Sequence, residues 1–378
     1  MITRMKRWFG NGSADGSGDF EILMGGCDGS PNVLVFTEHL NATYYISFDL
    51  PLRELHARGE VNFATVSQEF MASRGKASLG RWSTDFRPDV VVMSRYSEPW
   101  GVDIQRYFKE QQIPVIYHID DDLLELPASL GGEIVGRHGM PEIVSTRRYL
   151  LSHCDLIYAS TAELAEVLRS RFGGPSVFHG MYAPYVEMPS PIRAQQSRFV
   201  VGYMGSRGHQ NDLALVVPAL IRLLDEHPQV QFQLFGTIAK PNELMRFGDR
   251  VRHHSVKRSY REFLVALAEL NWDIGLAPLA DIPFNHCKAP TKFVEYTACG
   301  IPTIASDVVP YKTAIPSGCG LRVGGDWYET ISRCMSEDDA RARMLWNARK
   351  FCSERYSLNK LANQLIEVFA LAKSWEAQ

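Results

Sequence analysis

Short apolar runs rich in β-branched residues alternate with helical patterns twice along this chain, and a proline-rich stretch separates the two series. That double alternation constrains the fold more than any other feature, because it is the signature of parallel α/β sheets. The first series predicts strands at 32–40, 61–67, 89–95, 113–120 and 155–160. Helical patterns lie between them, closing with TAELAEVLRSRFG at 161–173. The run APYVEMPSPIRAQQS (183–197) has three prolines and no sustained period, and reads as an interdomain linker. The second series predicts strands at 198–205, 229–236, 272–279 and 301–307, helices at 211–227, 259–270 and 291–300, and a helical tail over 336–373. Together the two series read as two Rossmann-like domains facing each other across a cleft.

Composition narrows the function classes. At 378 residues, the length suits two domains, and 45% hydrophobic with 22% charged residues suits a globular chain. A net charge of −3 argues against a nucleic-acid partner held by phosphate neutralisation. No apolar run approaches the roughly 18 residues of a membrane span. Seven single cysteines without a CxxC pair fit a reducing compartment, so a cytoplasmic location is expected. The head MITRMKRWFG precedes the linker-like GNGSADGSG. It reads first as a flexible tail, and second as a basic, aromatic contact peripheral to the inner face of a membrane.

In open parallel sheets, ligands bind beyond the carboxyl ends of strands. The strand FVVGYM runs into Gly205-Ser206-Arg207-Gly208-His209, where a glycine turn lets a phosphate approach backbone amides and Arg207 offers a bidentate cation. A tight turn with a solvated arginine accounts for this motif equally well. In DIPFNHCKAPTKFVEYTACGIPTIASD (281–307), Lys288, Lys292 and Glu295 fall at i, i+4 and i+7. They share one face if the helix begins by Lys288, and Lys292 and Glu295 still do if it begins at Thr291. Lysines there can neutralise a leaving diphosphate, and a carboxylate can accept from ribose hydroxyls. In the first half, VIYHIDDDLLELP places His118, Asp120, Asp121 and Asp122 at the end of a buried strand. Crowded carboxylates raise one another's pKa, and one can accept an acceptor proton. Helix capping by Asp120 or Asp122, and a divalent-metal pair, are the competing readings.

The 281–307 segment resembles the donor-binding signature of GT-B glycosyltransferases, in particular family 4-like (group 1) bacterial retaining enzymes. Glu295, Gly300, Pro302, Ile304 and Ser306 fit a Glu five residues before the Gly of G-x-P-x-[IV]-x-[ST]. The stretches YMGSRGHQNDLALVVPAL and WDIGLAPL resemble the same subgroup, over roughly 198–310. The resemblance implies a hexosyltransferase-like, metal-independent enzyme acting with retention, without cofactor, in glycan, glycolipid or glycoprotein synthesis. It implies a nucleotide-sugar donor, a UDP- or GDP-sugar in the first place, and a glycan, lipid-linked or protein acceptor. Carried over by position, Gly205, Ser206, Arg207, Asn285, Lys288, Lys292 and Glu295 bind the donor, and His118, Asp120 and Asp121 are the catalytic candidates. Where many family members carry a second Glu, eight residues before Glu295, this chain has Cys287. A nucleotide-sugar epimerase or hydrolase, and a non-catalytic nucleotide-binding scaffold, are the alternatives. The expected division is a tail over 1–19, an acceptor domain over 20–190, a donor domain over 198–355 and a helix over 356–378 that packs back on the first domain.

Overall fold

The computed structural model describes residues 19–74, 78–189, 198–255 and 259–374. Residues 1–18, on which the expected tail and the membrane contact weighed for it fall, and residues 190–197 of the expected linker lie outside the described residues. Two compact units are formed: Met1–Leu126, Gly136–Tyr182 and Leu358–Gln378 make the first, and Pro127–Val135 with Ala183–Ser357 the second.

The first unit is built on a seven-stranded sheet of β1 (Ile22–Met24), β2 (Asn32–Thr37), β3 (Asn62–Ser67), β4 (Val90–Ser94), β5 (Val115–Ile119), β6 (Leu156–Ala159) and β7 (Ser176–His179). The strand order is β1-β3-β2-β4-β5-β6-β7, and every pairing is parallel except the antiparallel edge strand β1 on β3. Val33, Leu34, Val35 and Phe36 are fully buried, as expected of a strand covered on both faces. The C-terminal helix Leu358–Ser374 belongs to this unit. Its Leu365, Val368, Phe369 and Ala372 enter the same core as Leu52 and Leu55 of the helix Leu50–Ala57. The helical spacing of these residues puts one apolar stripe against that helix.

The second unit holds a six-stranded, wholly parallel sheet of β8 (Phe199–Gly205), β9 (Val230–Gly236), β10 (Val251–His254), β11 (Ile274–Ala277), β12 (Thr303–Ser306) and β13 (Leu321–Val323). Its order, β10-β9-β8-β11-β12-β13, is the Rossmann arrangement, with the order reversing between β8 and β11. At that switch point β8 and β11 pair only at Val201–Ile274 and Gly202–Gly275. Beyond it the strands part, and the Tyr296 hydroxyl fills the gap, accepting from Met204 N (2.9 Å) and donating to Leu276 O (3.0 Å). Gly275 is required by this arrangement, because a Cβ there would lie 2.8 Å from the Tyr296 ring.

The structure departs from the expected elements in identifiable ways. The helix expected over 211–227 is broken into Gln210–Ala214 and Val217–Glu226, with Pro218 in the first turn of the second piece, where its missing N–H costs nothing. Strands β1, β7, β10 and β13 have no counterpart in the sequence reading. They have three or four residues each and lie at or beside sheet edges, too short for a periodicity to register. His253 and His254 belong to the edge strand β10. Among the described residues, no helix is long and apolar enough to cross a membrane.

Candidate functional site

Three stretches of the second unit converge at the carboxyl ends of β8 and β11. The first is the Gly205 turn. Gly205 O accepts from Thr237 N and Ile238 N, each at 3.1 Å, which clamps the end of β8 to the loop after β9. Gly236 has φ +116, and a Cβ on it would meet Gly205 O at 2.4 Å, so only glycine fits there. Ser206 and Arg207 are exposed, and a single 3₁₀ turn, Arg207–His209, leads into the five-residue helix. That helix is too short to give the phosphate grip of a long helix N-terminus, so attraction for an anion rests on side-chain charge. Arg207 Nη1 lies 3.1 Å from Glu133 Oε2, and both side chains are exposed, at 68% and 75%.

The second stretch is the helix Thr291–Ala298, preceded by the separate turn of helix Pro283–His286. Lys288 therefore lies outside the helix that carries Lys292 and Glu295, and its Nζ sits 4.5 Å from the Phe284 ring centre. Lys292 Nζ is 5.7 Å from the centre of the Tyr203 ring on β8. Glu295 is 8% exposed and accepts a 2.6 Å hydrogen bond from the Tyr260 hydroxyl. Burial pushes its carboxyl up to about 7, against the opposing pull of Tyr260 and Lys292. The third stretch, after β11, is held by Ser306, whose Oγ accepts from Leu279 N at 2.8 Å.

Asp212 binds these pieces together. It is 5% exposed, and its Oδ1 accepts from Ala280 N (2.9 Å) and Asn285 Nδ2 (3.3 Å), while its Oδ2 lies 2.9 Å from His209 Nδ1. Asn285 also donates to Ala280 O, so its amide holds the loop rather than facing outward. Lys292 first, then burial and Lys288, hold the His209 imidazole down to about 4, and neutral.

In the first unit, His118 is the penultimate residue of β5 and is 1% exposed, its Nδ1 3.0 Å from Ser94 Oγ and its ring packed on Phe48 and Tyr158. Burial lowers its pKa to about 4. The following aspartates do not share one environment. Asp120 accepts from the hydroxyls of Thr43 (2.8 Å) and Tyr182 (3.0 Å) and pairs with Arg95 at 3.1 Å. Burial raises its carboxyl, but Arg95, His118 and the two hydroxyls outweigh it and hold the group at about 2. The mutual raising expected of the run is thus reversed at Asp120, because a guanidinium faces it. Asp122 is gripped by both terminal nitrogens of Arg171, at 2.6 and 3.0 Å, and caps no helix. Asp121 is half-buried. Arg95 adopts φ +53 and also reaches Glu38, which is buried beside Arg147 and His138. Among the described residues, no group of three or more His, Cys, Asp or Glu side chains is placed to hold a metal ion.

Residues 217–367 match the family model described as glycosyl transferase-like. Over 169 residues, 42% of the chain, the sequence is 27% identical to a D-inositol 3-phosphate glycosyltransferase of Corynebacterium jeikeium. That match spans 39% of the relative's own length. HepE of Anabaena, solved in complex with UDP-glucose, superposes with a TM-score of 0.61 at 14% identity, covering 90% of this chain and 99% of that one. Sucrose-phosphate synthase of Thermosynechococcus elongatus gives 0.63 at 12% identity, covering 92% and 100%. The resemblance to GT-B, group 1 glycosyltransferases is therefore borne out, and GT-B is the fold class.

Within the second unit the structure gathers Gly205, Lys292 and Glu295 around the end of β8, with Arg207 on the turn and Lys288 just before the helix. Asn285 is turned inward. His209, Asp212 and Tyr260 belong to the same constellation and were not among the sequence candidates. His209 and Asp212 carried a signal, an i, i+3 pair directly after the glycine turn. Tyr260 carried none, because it arrives from a separate helix.

Proposed function

We propose that the protein transfers a sugar from a nucleotide-diphosphate sugar to an acceptor hydroxyl, with retention of anomeric configuration. The observation that carries this reading is the buried, incompletely compensated Glu295 carboxyl beside Lys292, at the switch point of a Rossmann sheet. In this reading Glu295 accepts hydrogen bonds from the nucleotide ribose. Arg207, Lys288 and Lys292 surround the diphosphate, and the Gly205 turn lets it approach the backbone. The bond between the anomeric carbon and the diphosphate breaks as the acceptor oxygen bonds to that carbon. The acceptor's proton leaves with the departing phosphate. Cations placed before the reaction stabilise the charge that develops on the leaving group, without reorganising during the step.

The acceptor belongs to the first unit in this reading. A carboxylate held at about 2 is a weak base at neutral pH, so Asp120 and the covered His118 position their neighbours. Asp121 is the member of the run that meets the acceptor. Nucleoside diphosphate release from UDP-glucose, UDP-N-acetylglucosamine and GDP-mannose, with a panel of glycan and lipid-linked acceptors, tests the reading. Turnover that needs an acceptor and falls at least tenfold in both Glu295→Ala and Arg207→Ala is expected, the loss of one or more charged hydrogen bonds. Free sugar or an epimer without acceptor would replace transfer by hydrolysis or epimerisation. Binding without any turnover would leave a nucleotide-binding scaffold.

A further inference from the structure

Asp212 and His209 are built into the donor-side constellation in a way that the charge-neutralising residues alone do not explain. Asp212 uses one oxygen to hold the loop at Ala280 and Asn285, and the other to hold the imidazole of the Gly205 turn. Its carboxyl is drawn down: burial raises it, and the His209 bond and the Ala280 amide outweigh burial. An ionised carboxylate can only accept, so His209 Nδ1 is the donor of that 2.9 Å bond. The neutral ring then carries its lone pair on Nε2. A lone pair beside a diphosphate oxygen is repulsive, whereas a protonated Nε2 is a charged donor.

We propose that Asp212 is a positioning residue that fixes His209 so that, when a sugar nucleotide binds, Nε2 takes one proton from solvent and donates a hydrogen bond to the diphosphate. The inference rests on the donor reading above. The groups acting on the imidazole are Lys292, Lys288 and Asp212, with Tyr203 donating to the His209 carbonyl (3.5 Å) and Glu295 lying beyond Lys292. Lys292, burial and Lys288 keep the ring neutral. An arriving diphosphate offsets the charge of the two lysines, and the Asp212 carboxylate stabilises the imidazolium that forms. Asp212 thereby couples the turn after β8 to the loop after β11 through one protonation event.

Calorimetric titration of the full chain with UDP-glucose, and with GDP-mannose, tests this at pH 6 in two buffers of different ionisation heat. The diphosphate of these ligands does not titrate near neutrality, and any proton released by Glu295 is common to wild type and variant. Wild type is expected to take up more protons than His209→Gln, by up to one per site. The glutamine amide can donate a hydrogen bond without charging. The affinity ratio of wild type to His209→Gln is expected to grow as pH falls from 8 to 6, reaching about tenfold, the size of one charge-assisted hydrogen bond. Asp212→Asn keeps an acceptor for Ala280 N and is expected to lose the same proton uptake. If that variant does not fold, His209→Gln decides alone. Equal proton counts and a pH-independent ratio would overturn the inference while leaving the donor site intact. No binding of either sugar nucleotide would overturn the donor reading, and this inference with it.

Discussion

Asp120 and Glu295 are both buried carboxyls next to a β-sheet, yet their environments drive them in opposite directions. Asp120 meets a guanidinium and two hydroxyls and is held at about 2. Glu295 meets one tyrosine hydroxyl and a more distant ammonium, and burial carries it to about 7. Desolvation is common to both, and the difference lies in how far the protein itself supplies the compensating charge and hydrogen bonds. The first unit supplies a guanidinium directly against its carboxylate, and the second supplies no cation as close. Arg95 reaches both Asp120 and Glu38 from a backbone at φ +53. A carboxyl compensated as little as Glu295 is where binding energy can be recovered.

Removing the guanidinium that faces Asp120 should have the largest effect. Arg95→Met leaves Asp120 and Glu38 buried without their shared partner, and unfolding in urea should show a loss of about 3–5 kcal/mol. A loss under about 1 kcal/mol would mean that solvent reaches the pair, and the contrast with Glu295 would collapse. Glu295→Gln should act in the opposite sense. A carboxyl whose folded pKa is raised contributes stability at low pH and loses it as pH rises from the ordinary Glu value through about 7. The variant cannot ionise, so it should gain on wild type by on the order of 3 kcal/mol between pH 4 and pH 8. Parallel stability curves would place Glu295 in a solvated environment instead. Glu133→Gln should be the smallest perturbation. The Arg207–Glu133 pair is exposed, so melting should not move, while sugar-nucleotide affinity should rise two- to threefold as a competing carboxylate leaves Arg207. An unchanged affinity would mean that Arg207 does not reach the ligand.

Much of this contrast was visible in the sequence of the second unit and little in that of the first. The Gly205 turn, Lys292, Glu295 and the Gly300–Ser306 motif lie in two short segments whose spacing sets their geometry. Ser306 performs the local task its motif position suggests, holding Leu279 N. The separation of Lys288 from the helix was left open by spacing alone, and the turn at Pro283–His286 decides it. The aspartate run was visible as a cluster but not as chemistry. Arg95, Thr43 and Tyr182 come from 25, 77 and 62 positions away, and no local pattern announces them. The two sheets were legible because buried parallel strands are long apolar runs. The edge strands were not, because three or four residues leave no period to read.

The claim at the centre is that the incomplete network around Glu295 is a nucleotide site. Thermal melting of wild type and Glu295→Ala with UDP, GDP, ADP, TDP and CMP, with and without magnesium, tests it directly, since a ligand bound only by the folded state must raise the melting temperature. One diphosphate should raise the wild-type melting temperature without magnesium and fail to do so in the variant. No shift with any nucleotide, or the same shift in both proteins, would contradict it.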